Sequence, residues 1–161
     1  MGTHQKKSDG DKPITENRRA RARYAIDEVL EVGIELRGSE VKSARDGKVD
    51  LSDAYAQVDR NELLLLNAYI APYKNAVTYG HEPKRARRLL AHRSQIDHLQ
   101  GKINQRGYTL VALRAYFKDG RVKVELGLGK AKDLEDKRQD IKEREEKREA
   151  RAAMTRRRDE R

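Results

Sequence analysis

The sequence predicts a mainly β protein, a small closed or nearly closed barrel with two or three short helices, followed by a polyelectrolyte tail. Three observations predict it. Apolar and polar residues alternate over several short runs, the signature of half-buried strands. Turn signals at Asp59-Arg60-Asn61 and Asp119-Gly120 separate such runs. Beyond Leu128 the alternation stops and charges of both signs take over. Several short strands with little helix favour closure, because a closed sheet exposes no edge. No internal repeat is visible.

Residues 1–16 are polar, carry Gly2, Gly10 and Pro13, and show no period, so they read as disordered. Order is expected from near Tyr24. Leu30, Val32, Ile34 and Leu36 then alternate with Glu31, Gly33 and Glu35 as a strand. Ser39 is placed to cap a short helix through Val41 and Lys42, ended by Gly47. Strands are expected over 53–58 and 63–69. Pro72 and the stretch from Gly80 to Pro83 punctuate a long loop. Ile96, Leu99 and Ile103 recur at helical spacing, with Gly107 closing that helix. Finally Val111, Leu113, Ala115 and Phe117 alternate up to the Asp119-Gly120 turn. Val122, Val124, Leu126 and Leu128 alternate after it, giving a hairpin.

The charge narrows the function. Lys and Arg number 37 against 27 Asp and Glu, for a net +10. The isoelectric point is near 9.8. The excess is clustered: Arg18, Arg19, Arg21 and Arg23; Lys84, Arg85, Arg87, Arg88 and Arg93; and Arg156 to Arg158. Clustered cations suit a polyanion, since each one near a phosphate releases condensed counterions. With seven Tyr, one Phe and no Trp, base stacking is poorly supplied. Folded RNA recognised by shape and backbone is the better expectation. Cysteine is absent, which removes disulfides, thiolate nucleophiles and cysteine-zinc sites. No apolar run, Leu63 to Leu66 included, approaches a membrane span, and the N-terminus lacks the apolar stretch of a signal peptide. A cytoplasmic protein without membrane contact is expected.

Catalysis has little to draw on. His4, His81, His92 and His98 lack the spacing of a metal motif, and His98 has only Asp97 as a nearby carboxylate. Glu31 and Glu35 share a strand face but no pocket signal. No catalytic residue, metal or cofactor is expected. The block Pro83-Lys84-Arg85-Ala86-Arg87-Arg88-Leu89-Leu90 sets cations beside an apolar pair, which should fix positive charge on the barrel surface for phosphate contact.

The assembled segments resemble the SmpB family, the tmRNA-binding (SsrA-binding) proteins of bacterial trans-translation, from about Asn17 to Glu149. The carrying motifs are Asn17-Arg18-Arg19-Ala20-Arg21, Gly38-Ser39-Glu40-Val41-Lys42-Ser43, Pro83 through Leu90, Gly107 through Leu113, Val122-Lys123-Val124 and Asp136-Lys137-Arg138. The resemblance implies an OB-fold-like RNA-binding barrel over residues 17–129 and a tail over 130–161. It implies an adaptor, with no enzymatic activity, that binds the tRNA-like domain of tmRNA and carries it into stalled 70S ribosomes. The tail would become helical in the empty decoding centre and mRNA channel. It further implies tmRNA contacts at Glu31, Leu90 and Lys123, with Asn17, Arg21, Lys42, Arg45, Arg87 and Arg88 at RNA-facing positions. Ribosome-contacting tail residues would be Lys130, Lys132, Asp136, Lys137, Arg138, Ile141, Lys142 and Met154. The chain departs from the family pattern at Ala22, where the family has His, and at Ala91, where it has a third Leu. A further departure is Ala131-Lys132-Asp133-Leu134-Glu135, where the family has Gly-Lys-Lys and then a ring. A monomer is expected. The competing readings are a resident rRNA-binding ribosomal protein and an RNA hydrolase.

The tail has its own physics. From Gly129 onward it holds 13 Lys and Arg against 10 Asp and Glu, with almost no apolar residues. A helix with no face to bury should be mostly unfolded alone and order on a partner. Asp140 with Arg144 and Glu143 with Lys147 favour a helix only slightly.

Overall fold

The computed structural model describes residues 11–73, 81–105, 107–132 and 134–159. The body opens with β1 (Lys12–Glu16), the short helix α1 (Arg18–Arg23) and the long strand β2 (Tyr24–Ile34). Helix α2 (Gly38–Arg45), β3 (Val49–Asp50), β4 (Tyr55–Asp59), β5 (Glu62–Leu66) and β6 (Tyr69–Ile70) follow. Then come β7 (Arg87–Leu90), helix α3 (Arg93–Ile103), β8 (Tyr108–Lys118) and β9 (Arg121–Ala131).

The sheet closes on itself. Strands run β8-β4-β5-β7-β2-β9, and β9 pairs again with β8. Every pairing is antiparallel. Strand β1 lies outside the ring on β8, and β3 pairs with β6 as a separate two-stranded piece. Closure lets the inward residues meet: Val32, Leu63, Leu65, Leu89, Leu110, Ala112, Val124, Leu126 and Leu128 fill one core, with Ile96 and Leu99 of α3 added to it. A second, smaller cluster of Ala20, Val111 and Leu113, with Tyr24 and Ile26, packs α1 onto the outside.

The hairpin is where the sequence places it, at Asp119 (φ 51°) and Gly120 (φ 74°). Two successive positive φ values match the right-handed twist of the flanking strands. Both strands are longer than the alternation marked. In β8 the alternation is broken by a register shift between Ala112 and Arg114. A bulge inserts a residue and reverses which side chains face inward. Ala112 and Ala115 therefore enter the core, whereas Val111 and Leu113, expected inside, join the outer cluster under α1.

Three further expectations are corrected. Order begins at Lys12 instead of Tyr24, because β1 takes up the free edge of β8; residues 1–10 lie outside the described residues. Helix α2 starts two residues earlier than expected, with Arg37 instead of Ser39 at its N-cap and the Arg37 N–H donating to the Glu40 side chain. Ser39 is inside the helix and its hydroxyl meets His81. The tail, expected to be mostly unfolded alone, is a 26-residue helix, α4 (Leu134–Asp159). No Gly or Pro interrupts that span, and Glu, Lys, Arg, Gln and Ala dominate it. Strong helix formers of this kind sustain a long helix by propensity where no face is buried. At 1.5 Å per residue it is about 39 Å long.

The chain divides into two compact units, residues 1–131 and 132–161. The division falls after the last residue of β9, two residues beyond the Gly129 boundary read from the sequence.

Candidate RNA-binding face

Four strands build one continuous row on the outside of the barrel. Leu90 of β7 stands opposite Gly33 of β2, Gly33 opposite Lys123 of β9, and Lys123 opposite Tyr116 of β8. The neighbouring row, Val32, Val124 and Ala115, is buried in the core, as is Leu89 next to Leu90, so the first row faces outward. Gly33 gives this row its shape. A Cβ there would lie 3.2 Å from the Leu90 Cβ, so the missing side chain lets Leu90 lean over the β2 backbone. Leu90 remains 46% exposed, an apolar contact offered to solvent.

One outward row further on, Glu31 stands opposite Glu125, and Glu125 opposite Arg114. Glu31 is half-buried. Its carboxylate accepts from the Tyr116 hydroxyl and, at 3.2 Å, from the Lys118 ammonium. Burial works to raise its pKa, but those two hydrogen bonds and the charges of Lys118 and Lys123 together outweigh burial and hold it below the ordinary value. The carboxylate is an acceptor only. Glu125 is held by Arg114 at 2.7 Å and more loosely by Arg21 at 3.8 Å. Arg21, exposed on α1, thus reaches the same face. Arg88 is exposed on β7 and carries loose pairs to Glu35 (3.7 Å) and Glu62 (4.0 Å). Surface pairs of this length are worth little, so its guanidinium is available to a phosphate.

Two expected RNA-facing residues are internal. The Asn17 amide donates to the carbonyls of Leu51 (2.9 Å) and Ala112 (3.0 Å), tying α1 to the barrel. Arg87 is fully buried. Its Nε donates to Glu40 at 2.5 Å, and its other nitrogens donate to the carbonyls of Ala68, Arg85 and Pro83. Arg85 also pairs with Glu40. The basic block on β7 is therefore not a surface patch: alternation turns Arg87 inward beside Leu89 and leaves Arg88 and Leu90 outside. Burial works against the Glu40 charge, yet hydrogen bonds from Arg85, the Arg37 backbone and Arg87 hold its carboxyl below the ordinary range. A buried charge survives only when paired in this way.

Lys42 and Arg45 are exposed on α2, a separate part of the surface from the Leu90 row, where α2 packs on β6. The Lys42 ammonium sits 5.4 Å from the centre of the Tyr73 ring. Among the tail residues, Lys130 lies 4.7 Å over the Tyr108 ring, and Lys132 pairs with Asp140. Arg138 and Lys142 are exposed, as are Ile141 at 55% and Met154 at 73%. The side chains of Asp136 and Lys137 lie outside the described residues.

The histidines also differ from expectation. His81 is buried and bonded to the Ser39 hydroxyl (2.9 Å) and the Ile70 carbonyl (3.0 Å). His92 is the N-cap of α3. His98 does have a carboxylate partner, Glu28 at 2.8 Å, seventy residues away in sequence. Tyr116, Lys118 and Arg114 were not among the expected site residues, although the alternation that turns Ala115 inward already turns them outward. The polar alternation Arg114, Tyr116, Lys118 was the signal that could have revealed them.

Comparison with known proteins agrees on what this scaffold is. The family model described as SmpB protein matches residues 14–156. The chain belongs to the SmpB family. An SsrA-binding protein of Myxococcus xanthus is 55% identical over 148 residues, spanning 92% of this chain and 91% of that protein. An SsrA-binding protein of Symbiobacterium thermophilum is 52% identical over 143 residues, 88% of this chain and 90% of that one. Among solved structures, a chain from work described as "tmRNA-SmpB: a journey to the center of the bacterial ribosome" superposes with a TM-score of 0.64 at 45% identity. It covers 79% of this SmpB-family chain and 93% of that one. Among the described residues no helix is long and apolar enough to cross a membrane.

Proposed function

We propose that this protein binds tmRNA and delivers it to stalled ribosomes in trans-translation, as an adaptor without catalytic activity of its own. The observation that carries the binding role is the outward row Leu90, Gly33 and Lys123 with the Glu31 carboxylate beside it. Leu90, Lys123 and Glu31 are the three residues that the family resemblance assigned to tmRNA, and they come from three strands. Their chemistry is complementary to a folded RNA: Lys123 meets a phosphate, Leu90 packs on a base or sugar, and Glu31 accepts from a base amino group or a 2′-hydroxyl. The tRNA-like domain is the part of tmRNA that this face takes, with Arg21 and Arg88 supplying phosphate contacts at its margins. The carboxylates of the face, Glu31 and Glu125, are engaged by Tyr116, Lys118 and Arg114, which suits recognition better than turnover.

The tail serves the ribosome. Interleaved cations along α4 meet rRNA phosphates in the decoding centre and mRNA channel, and Ile141 and Met154 supply its exposed apolar contacts. This work takes place in the cytoplasm, on stalled ribosomes. The test is direct competition between the tRNA-like domain of tmRNA and an rRNA fragment for the purified protein. Preference for the tRNA-like domain, lost when Glu31, Leu90 and Lys123 are replaced together by Ala, is expected. Preference for rRNA would return the resident ribosomal-protein reading.

A further inference from the structure

Tyr116 is an anomaly. It lies on the outward row with Leu90, Gly33 and Lys123, where side chains ordinarily meet solvent, yet it is only 1% exposed. Its ring carries the Arg114 guanidinium 4.5 Å above its centre, and Pro13 of β1 stands beside it in register. Arg114 is in turn fixed by Glu125 at 2.7 Å. The phenol is therefore held laterally along the barrel surface, and its hydroxyl crosses β9 to the Glu31 carboxylate on β2. Two strand spacings are about 10 Å, a span that a Tyr and a Glu close only when extended toward each other. Lys118 fills a second position on the same carboxylate, at 3.2 Å on Oε1.

We propose that Tyr116, assisted by Lys118, is a positioning residue for RNA recognition, locking the Glu31 carboxylate so that its remaining lone pairs face an incoming nucleotide's N–H or O–H donor. This inference rests on the tmRNA-binding reading of the face and deepens it. A carboxylate has about four lone-pair sites. The Tyr116 and Lys118 donors each engage one oxygen, so one acceptor position per oxygen is left, with its direction set by the protein instead of by rotation about the Glu31 side chain. Preorganisation of this kind removes the ordering cost that a free glutamate would incur on binding. A carboxylate in a basic protein would otherwise turn to the nearest cation, Lys123 included, and take a phosphate-binding group out of use.

The test is a double-mutant cycle between Tyr116→Phe and Glu31→Gln, read as affinity of the full chain for the tRNA-like domain of tmRNA across a salt series. Tyr116→Phe should weaken binding about tenfold, the scale of one hydrogen bond to a charged group. Its salt slope should be unchanged because no phosphate contact is lost. In the Glu31→Gln background Tyr116→Phe should add little further loss. Lys118→Met, at a half-buried position near the end of β8, should show the same non-additivity and guards against a Tyr116 variant that folds poorly. Full additivity of the two losses, or an unchanged affinity for Tyr116→Phe while Glu31→Gln binds weakly, would overturn the positioning role. If neither Glu31→Gln nor Lys123→Ala alters affinity, the binding face itself has been misassigned, and that result is distinguishable from the other two.

Discussion

The barrel and the tail reach order by opposite routes. In the barrel, no buried side-chain nitrogen or oxygen among the described residues lacks a hydrogen-bond partner. Even Arg87 and Glu40, both without solvent exposure, have each other and a ring of carbonyls. In α4 almost every described side chain is exposed, and its order comes from backbone propensity alone. A closed core can fix a carboxylate beside a phenol; a helix of alternating charge can only present its groups and wait for a surface. Under the proposed function, recognition belongs to the first region and reach along a polyanionic channel to the second.

The largest expected effect breaks the pair apart. Deleting residues 132–161 should leave tmRNA affinity nearly unchanged and abolish tag addition in a reconstituted assay on stalled ribosomes. The cut belongs after Ala131, because Lys130 and Ala131 still pair with Ala25 and Tyr24 in β9. Tagging that survives, or tmRNA affinity that collapses, would show that the two regions do not divide the work.

Next in size, Glu40→Ala should strike only the barrel. It leaves Arg87 buried and unpaired, a defect that costs about 3–5 kcal/mol, and the thermal unfolding midpoint should fall steeply. Conversely, Glu145→Pro should strike only the tail. Proline in a helix interior costs about 3 kcal/mol, so tagging should drop sharply, while the barrel's unfolding midpoint and tmRNA affinity stay put. A matching loss of barrel stability in that variant would mean that α4 supports the core.

Acid sharpens the contrast further. Glu31 and Glu40 are held below the ordinary glutamate range, so the folded state favours their charged forms. Their stabilisation is fully present above the unfolded value and is lost as pH falls from there through the folded values. Barrel stability in a pH series should therefore decline below about pH 4.3, and Glu31→Gln should flatten part of that decline. The smallest effect is Lys123→Ala, which should lower the salt slope of tmRNA binding by about one. An unchanged slope would remove Lys123 from the phosphate contacts.

The sequence alone determined the class of the body, its final hairpin, the basic excess and the family, because each is written in local period, turn chemistry or motif order. Val124, Leu126 and Leu128 alternate whatever lies around them. The tertiary structure decided which polar residues are surface and which are structure. Arg87 and Arg88 are adjacent and chemically identical, yet Arg87 is buried because Glu40, 47 residues earlier, is brought beneath it. Asn17 turned inward because two carbonyls, one of them 95 residues away, needed a donor. Val111 and Leu113 went to the outer cluster under α1 because one bulge in β8 reversed the alternation before Arg114. A charge or amide is buried when its partner arrives from elsewhere in the chain, and ring closure of the sheet is what delivers those partners.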